Sequence, residues 1–297
     1  MHDALRMLPP LFLLGTLWGV TPVFVKHLGS IGWPPLMIAV FGATGSSAIL
    51  FTLCRVRRIA VPLDARHLRY YAVNGLFGMA LANLVGFTSL QHIPAGFFAM
   101  LVPLSPIITV LGAALIGAER VTPRRVLGTA LGLAGVMVAM SPGAALPDRS
   151  VLGWAMLAAL TPVCYAMSNL FAARLAPQGT PPPALATGTL AVGAVQVAIF
   201  ALLIGQFRMP PPEGLPISAL QVTVMASAFL LWFRSIVTYG SVVTSQTGYI
   251  ITLTGMAWGW LLFGERPGPL TIPAAMLIFA GLALVTLPGR RVNRSGA

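Results

Sequence analysis

Polar side chains are sparse along this 297-residue chain, and where they gather they separate ten apolar runs. The runs fall at 9–28, 34–54, 70–90, 95–117, 123–140, 151–174, 184–205, 217–239, 244–263 and 269–287. A helix needs about 20 apolar residues to cross the hydrocarbon core, and lipid offers no partner to an open backbone. The pattern therefore predicts an all-α polytopic membrane protein with ten transmembrane helices. The runs are continuous and rich in Leu, Ala and Gly, whereas a membrane barrel needs short alternating strands. Arg6 precedes a first run long enough to span, with no Ala-x-Ala signal at its end, so that run reads as a membrane helix and not as a removable leader. In the fourth run, Pro103 and Pro106 remove backbone donors and are expected to kink or loosen the helix near its middle. The segment RVRRIAVPLDARHLR between the second and third runs has room for a short surface helix.

The runs repeat. LIGAERVTPRRVLGTALGLAG at 115–135 recurs 146 residues later as LLFGERPGPLTIPAAMLIFAG at 261–281, with 7 of 21 positions identical, Glu119-Arg120 and Glu265-Arg266 among them. The third and fourth runs match the eighth and ninth at the same spacing, with Phe87 over Phe233. At a spacing of 147, Leu13, Thr21, Phe24 and Leu28 of the first run overlie Leu160, Ser168, Phe171 and Leu175 of the sixth. The chain is thus two five-helix units, 1–145 and 146–297. Five is odd, so the second unit enters the membrane from the opposite face, an inverted repeat. Within the repeated stretch, Thr122 suits a cap, Pro123 a first turn, and Gly128, Gly132 and Gly135 a surface for close helix packing or for a dimer. Glu119 and Glu265 sit at helix ends, where a charge reaches the interface.

Composition agrees with lipid as the solvent: 57% of residues are hydrophobic and 8% charged, too few for a water-facing surface. The net charge of +12 would raise the question of nucleic acid, but its placement answers it. With the N-terminus in the cytoplasm, 14 of the 18 basic residues fall on cytoplasmic segments, leaving Lys26, Arg149, Arg208 and Arg266 outside. That asymmetry is the positive-inside rule; it places both termini in the cytoplasm and calls for no nucleic-acid partner. The basic loop after the second run acts as a topology determinant and can also meet anionic headgroups. Cys54 and Cys164 lie in separate runs without metal-site spacing and read as small apolar residues.

The chemistry is limited by what is missing. Six acidic residues and four histidines, His2, His27, His67 and His92, are scattered over ends and loops. They assemble no magnesium cluster, triad or metal set, so neither an enzyme nor a cofactor is expected. Proton-coupled carriers place Asp, Glu or His inside the bundle. Here only His92, near the outer end of the third helix, is a candidate, and a hydrated histidine is the better account of it. The expectation is downhill, uniport-like movement of an uncharged or zwitterionic solute.

An inverted repeat puts the passenger near the pseudo-two-fold axis. Equivalent positions pair Trp18 with Tyr165, Met79 with Met225, Asn83 with Phe229, Met100 with Gln246 and Pro103 with Tyr249. The candidate substrate-binding residues are Trp18, Met79, Asn83, Met100, Pro103, Tyr165, Asn169, Gln246 and Tyr249. By helical spacing, Met79 and Asn83 share one face, as do Pro162, Tyr165 and Asn169. Aromatic and Met walls with a few amides suit an apolar side chain beside a zwitterionic head. Packing accounts for a Trp or Met equally well; an amide in hydrocarbon needs a partner. Trp232, Trp258 and Trp260 suit interfacial anchors, and Arg234, inside an apolar run, either snorkels or holds a substrate carboxylate.

The Leu17-Trp18-Gly19 motif, the Pro-containing fourth helix, the Ala118-Glu119-Arg120 and Gly264-Glu265-Arg266 turns, and the Ala134-Gly135-Val136 stretch lie within a five-helix duplication. Together they resemble the EamA-type carriers of the drug/metabolite transporter superfamily over nearly the whole chain. The resemblance implies alternating-access export of small metabolites across the bacterial inner membrane. Its ten-helix members point to neutral or aromatic amino acids, as in the YddG-type exporters. The partners are then a small-molecule substrate and membrane lipids, in a monomer or weak dimer. The second unit departs from the pattern where Gly268 stands in place of Thr before Pro269 and where Ser168 and Asn169 interrupt the sixth helix. A lipid flippase or membrane sensor would share these features, whereas a channel-like pore needs a continuous polar stripe that the scattered polar positions do not make.

Overall fold

The computed structural model describes the backbone of residues 2–115, 122–141, 146, 149–175, 177–245, 247–266 and 268–286. Ten apolar helices order this backbone. Six are long enough to span: α1 (Pro9–Ser30), α2 (Pro35–Val56), α3 (Ala65–Ser89), α6 (Arg149–Phe171), α7 (Pro182–Leu203) and α8 (Pro212–Ser235). Four are shorter: α4 (Ala95–Thr109), α5 (Val126–Ala139), α9 (Ile250–Phe263) and α10 (Thr271–Leu284). Among the described residues there is no β-strand, and the chain is a polytopic α-helical membrane protein.

Helix ends differ from the apolar pattern where polar residues continue the helix. Residues 65–69 are the first turn of α3 and form no separate surface helix, because Asp64 caps it, accepting from the N–H of Arg66 at 3.1 Å and of His67 at 3.3 Å. The helical backbone of α8 continues to Ser245, past the expected end at 239. Arg234 on this stretch is exposed, the placement a snorkelling side chain takes.

Two pairs of helices close the flanks, α5 on α10 and α2 on α7. In lipid, apolar burial does not drive helices together; close backbone approach does, and it requires small residues. A Cβ at Gly281 of α10 would lie 2.5 Å from the carbonyl oxygen of Gly128, and one at Gly135 of α5 would lie 2.8 Å from that of Ala274. The glycine face of α5 is therefore packed inside the chain, on its own repeat partner.

Between these flanks stand α1, α3, α4, α6, α8 and α9, and four of the six are interrupted. α1 breaks at Val20, between Gly19 and Thr21; α6 breaks at Ala159; α4 breaks at Val102–Pro103; and α3 carries a π-helical segment at Leu76–Leu81. Such interruptions inside transporters line the pathway. α9 is wedged between α1 and α4, with Gly19 of α1 against Thr254 and Gly255 of α9, and Gly255 against Ala99 of α4.

Candidate functional site

The proline break in α4 frees two carbonyls, and both are taken up by the protein. Pro103 cannot donate to the oxygen of Ala99 four residues back; Thr252 Oγ1 of α9 donates to it at 3.0 Å, with Gly248 O as its alternative acceptor at 3.1 Å. Pro106 leaves Val102 O, which accepts from Ser105 N at 3.0 Å. In α1, Pro22 has no N–H for the carbonyl of Trp18. The Trp18 ring meets Phe229 of α8 edge-on, centroids 5.2 Å apart.

Below the break, uncharged polar groups join three helices. Asn169 of α6 donates through Nδ2 to Ser105 Oγ and Thr109 Oγ1 of α4, both at 3.4 Å. One residue earlier, Ser168 Oγ donates to Asn74 Oδ1 of α3 at 2.9 Å, while Asn74 Nδ2 donates to Tyr70 O at 3.1 Å. Phe77 and Phe171 stack beside this seam, centroids 5.5 Å apart. The seam contains amides and hydroxyls only. Buried polar groups of this kind must be paired, and the 3.4 Å contacts of Asn169 lie at the long limit for a hydrogen bond.

The expected site residues divide. Trp18, Tyr165 and Asn169 are half-buried on α1 and α6, and Pro103 marks the break in α4. Asn83 is 6% exposed and makes no hydrogen bond among the described residues. Met79 and Met100 are consumed by packing. Met79 is 2% exposed in a cluster with Ala43, Leu50 and Leu190 and abuts Gly193 of α7, and Met100 is fully buried beside Leu101 and Leu104. Gln246 and the side chain of Tyr249 lie outside the described residues. The π-helical segment Leu76–Leu81 runs through Met79 and ends just before Asn83.

Sequence reasoning passed over Ser105, Thr109, Asn74 and Thr252, and named Phe229 only as the repeat counterpart of Asn83. A hydroxyl four residues from another in an apolar run, as at Ser105 and Thr109, is the available signal; its partner on α6 is not. His92 is exposed and stacks on Trp154 of α6 at 3.9 Å, away from the seam. Two cavities open elsewhere. One of 580 Å³ lies between α2 and α8, with Val40, Thr44, Gly45 and Ser218 on its walls, and one of 380 Å³ is lined by Ala65, Arg66, Arg69 and Leu175.

Interrupted helices around a neutral polar seam, flanked by two closely packed helix pairs, define a membrane carrier built as a duplicated helical bundle. Residues 8–141 and 152–287 each match the EamA-like transporter family, and the chain belongs to that family. It is a membrane transporter and not an enzyme. It is 27% identical to "Uncharacterized inner membrane transporter YedA" of Escherichia coli (strain K12), over 96% of this chain and 92% of that one. It is 26% identical to "Riboflavin transporter" of Rhizobium johnstonii, over 99% and 98%. To "Probable amino-acid metabolite efflux pump" of Salmonella typhimurium it is 25% identical, over 95% of each chain.

Proposed function

We propose that this transporter exports small uncharged or zwitterionic metabolites, neutral and aromatic amino acids foremost, across the inner membrane by alternating access. No coupled ion takes part. The charge asymmetry supports a cytoplasmic location for both termini, which puts Lys26 outside and the basic loop before α3 inside. The relative that moves amino-acid metabolites supports the solute class, and the inner-membrane relative supports the location.

The observation that carries this reading is the Asn169 seam. Its donors are neutral, its two contacts to α4 are 3.4 Å long, and a passenger offering shorter hydrogen bonds displaces them at little cost. Asn83, 6% exposed on α3, adds a further neutral amide, and the Trp18–Phe229 pair adds an aromatic wall for an apolar side chain. With no carboxylate or histidine in the seam, transport runs down the solute gradient.

The same aromatic and amide surfaces suit a flat heteroaromatic solute, and the riboflavin-transporting relative favours that second reading. Counterflow in liposomes with purified protein tests both. Neutral amino acids should compete with labelled substrate, N169A should raise KM more than it lowers the maximal rate, and dissipating the pH gradient should leave counterflow intact. Competition by riboflavin alone transfers the assignment to flavins. Collapse of transport with the pH gradient refutes the uniport.

A further inference from the structure

Glu265 stands apart from the seam. It follows α9 across Gly264, whose φ of +62° is a left-handed turn that glycine adopts without strain. That turn aims the carboxylate at the first unit of the repeat. Oε1 accepts from Lys26 Nζ of α1 at 2.6 Å and from Ala95 N at 2.7 Å, and Oε2 accepts from Gly96 N at 3.0 Å. Ala95 and Gly96 open α4, whose N-cap is Pro94, a residue with no side-chain acceptor. The orphaned N–H groups and positive end of α4 are thus capped by a carboxylate from the other half of the chain.

The contact is sheltered and leaves no slack. The Glu265 side chain is 15% exposed and Lys26 27%, and the ammonium lies 5.1 Å from the centroid of the Phe263 ring. Gly259 of α9 has the carboxylate where a Cβ would stand. Three donors on one half converge on one acceptor from the other.

Alternating access requires the halves to part at one face while they meet at the other. We propose that Glu265 is the latch of the outer face: its carboxylate holds α1 and α4 of the first unit against α9 of the second, and its release is a required step of the transport cycle. The inverted repeat gives the mirror role at the inner face to Glu119, 146 residues earlier, with Arg174 one residue beyond the position equivalent to Lys26. Glu119 and the Arg174 side chain lie outside the described residues, and this half of the proposal follows from the repeat alone. The latch rests on the transport reading and its orientation.

The test uses a reporter that needs no knowledge of the solute. Ala99 is fully buried against Gly255 at the α4–α9 contact, so A99C, in a C54A/C164A background, reads opening of the outer face through its labelling by a membrane-impermeant maleimide in intact cells. Losing charge-assisted hydrogen bonds in E265Q should raise the labelling rate on the order of tenfold. K26M, which keeps the α4 cap, should raise it less, and E119Q should lower it. The charge swap K26E/E265K restores an ion pair but offers no acceptor to Ala95 and Gly96, so labelling should stay high.

An unchanged labelling rate in monodisperse E265Q protein overturns the latch, as does a swap that returns labelling to the parent value. If E265Q does not fold, K26C/E265C joined by a reducible cross-linker should stop counterflow until reductant is added; undiminished counterflow after cross-linking also overturns it. Failure to find a transported solute, with labelling as expected, counts against the transport reading and leaves the outer closure standing.

Discussion

T252V removes a side-chain donor to a carbonyl that Pro103 has orphaned. Thr252 is fully buried and its hydroxyl proton divides between Ala99 O at 3.0 Å and Gly248 O at 3.1 Å. A buried acceptor left unsatisfied costs about 1–3 kcal/mol, and a shared proton places this case in the lower half of that range, about 1–2 kcal/mol. T252S keeps the hydroxyl and should cost less than T252V. The decisive comparison is made in the P103A background, where a backbone N–H returns four residues after Ala99 and can satisfy its oxygen. There T252V should cost about 0.5 kcal/mol or less, so the double-mutant cycle should show a coupling of about 1 kcal/mol. Reversible SDS-driven unfolding of the four proteins in mixed micelles measures it. If T252V costs the same with and without Pro103, the Ala99 carbonyl is not what Thr252 serves, and the account of the α4 break is wrong.

Two further outcomes follow from local geometry. G281A forces a Cβ to within 2.5 Å of the Gly128 carbonyl oxygen, so it should destabilise the α5–α10 pair by about 1–3 kcal/mol, whereas G153A, with open space around it, should be neutral in the same unfolding assay. For Asp64, burial raises the carboxyl pKa, but hydrogen bonds and charge from His67, with the Arg66 N–H, outweigh it and leave the pKa below its ordinary 3.8. A depressed folded pKa contributes stability above the ordinary value and loses it as pH falls through the folded one. D64N keeps a good cap, so thermal unfolding should show it below the parent at neutral pH and level with it once pH has fallen below the folded pKa; a constant gap across that window refutes the His67 account.

Much of the architecture could be read from the residues. Ten apolar runs became ten apolar helices because lipid leaves a backbone few other solutions, and the break at Pro103 was legible because proline lacks a donor whatever surrounds it. The breaks at Val20 and Ala159 obey the same rule, two and three residues before Pro22 and Pro162, but were passed over because membrane helices tolerate proline within an apolar run. Met79 and Met100, candidates for the passenger's wall, are buried among apolar side chains, a setting that helical spacing could not foretell because it gives relative faces and not the neighbour each face meets. Glycines on α5 announced a close contact without naming α10 as the partner.

The sequence by itself determined the solvent, the count of helices, the duplication and its inversion, because length, polarity and an odd number of spans are properties of the chain taken one segment at a time. Tertiary structure alone decided that Asn169 meets Ser105 and Thr109, that Thr252 answers Pro103, and that Glu265 caps α4 across the repeat. Those contacts join residues 60 to 170 positions apart, a separation over which neither periodicity nor composition carries information about who meets whom.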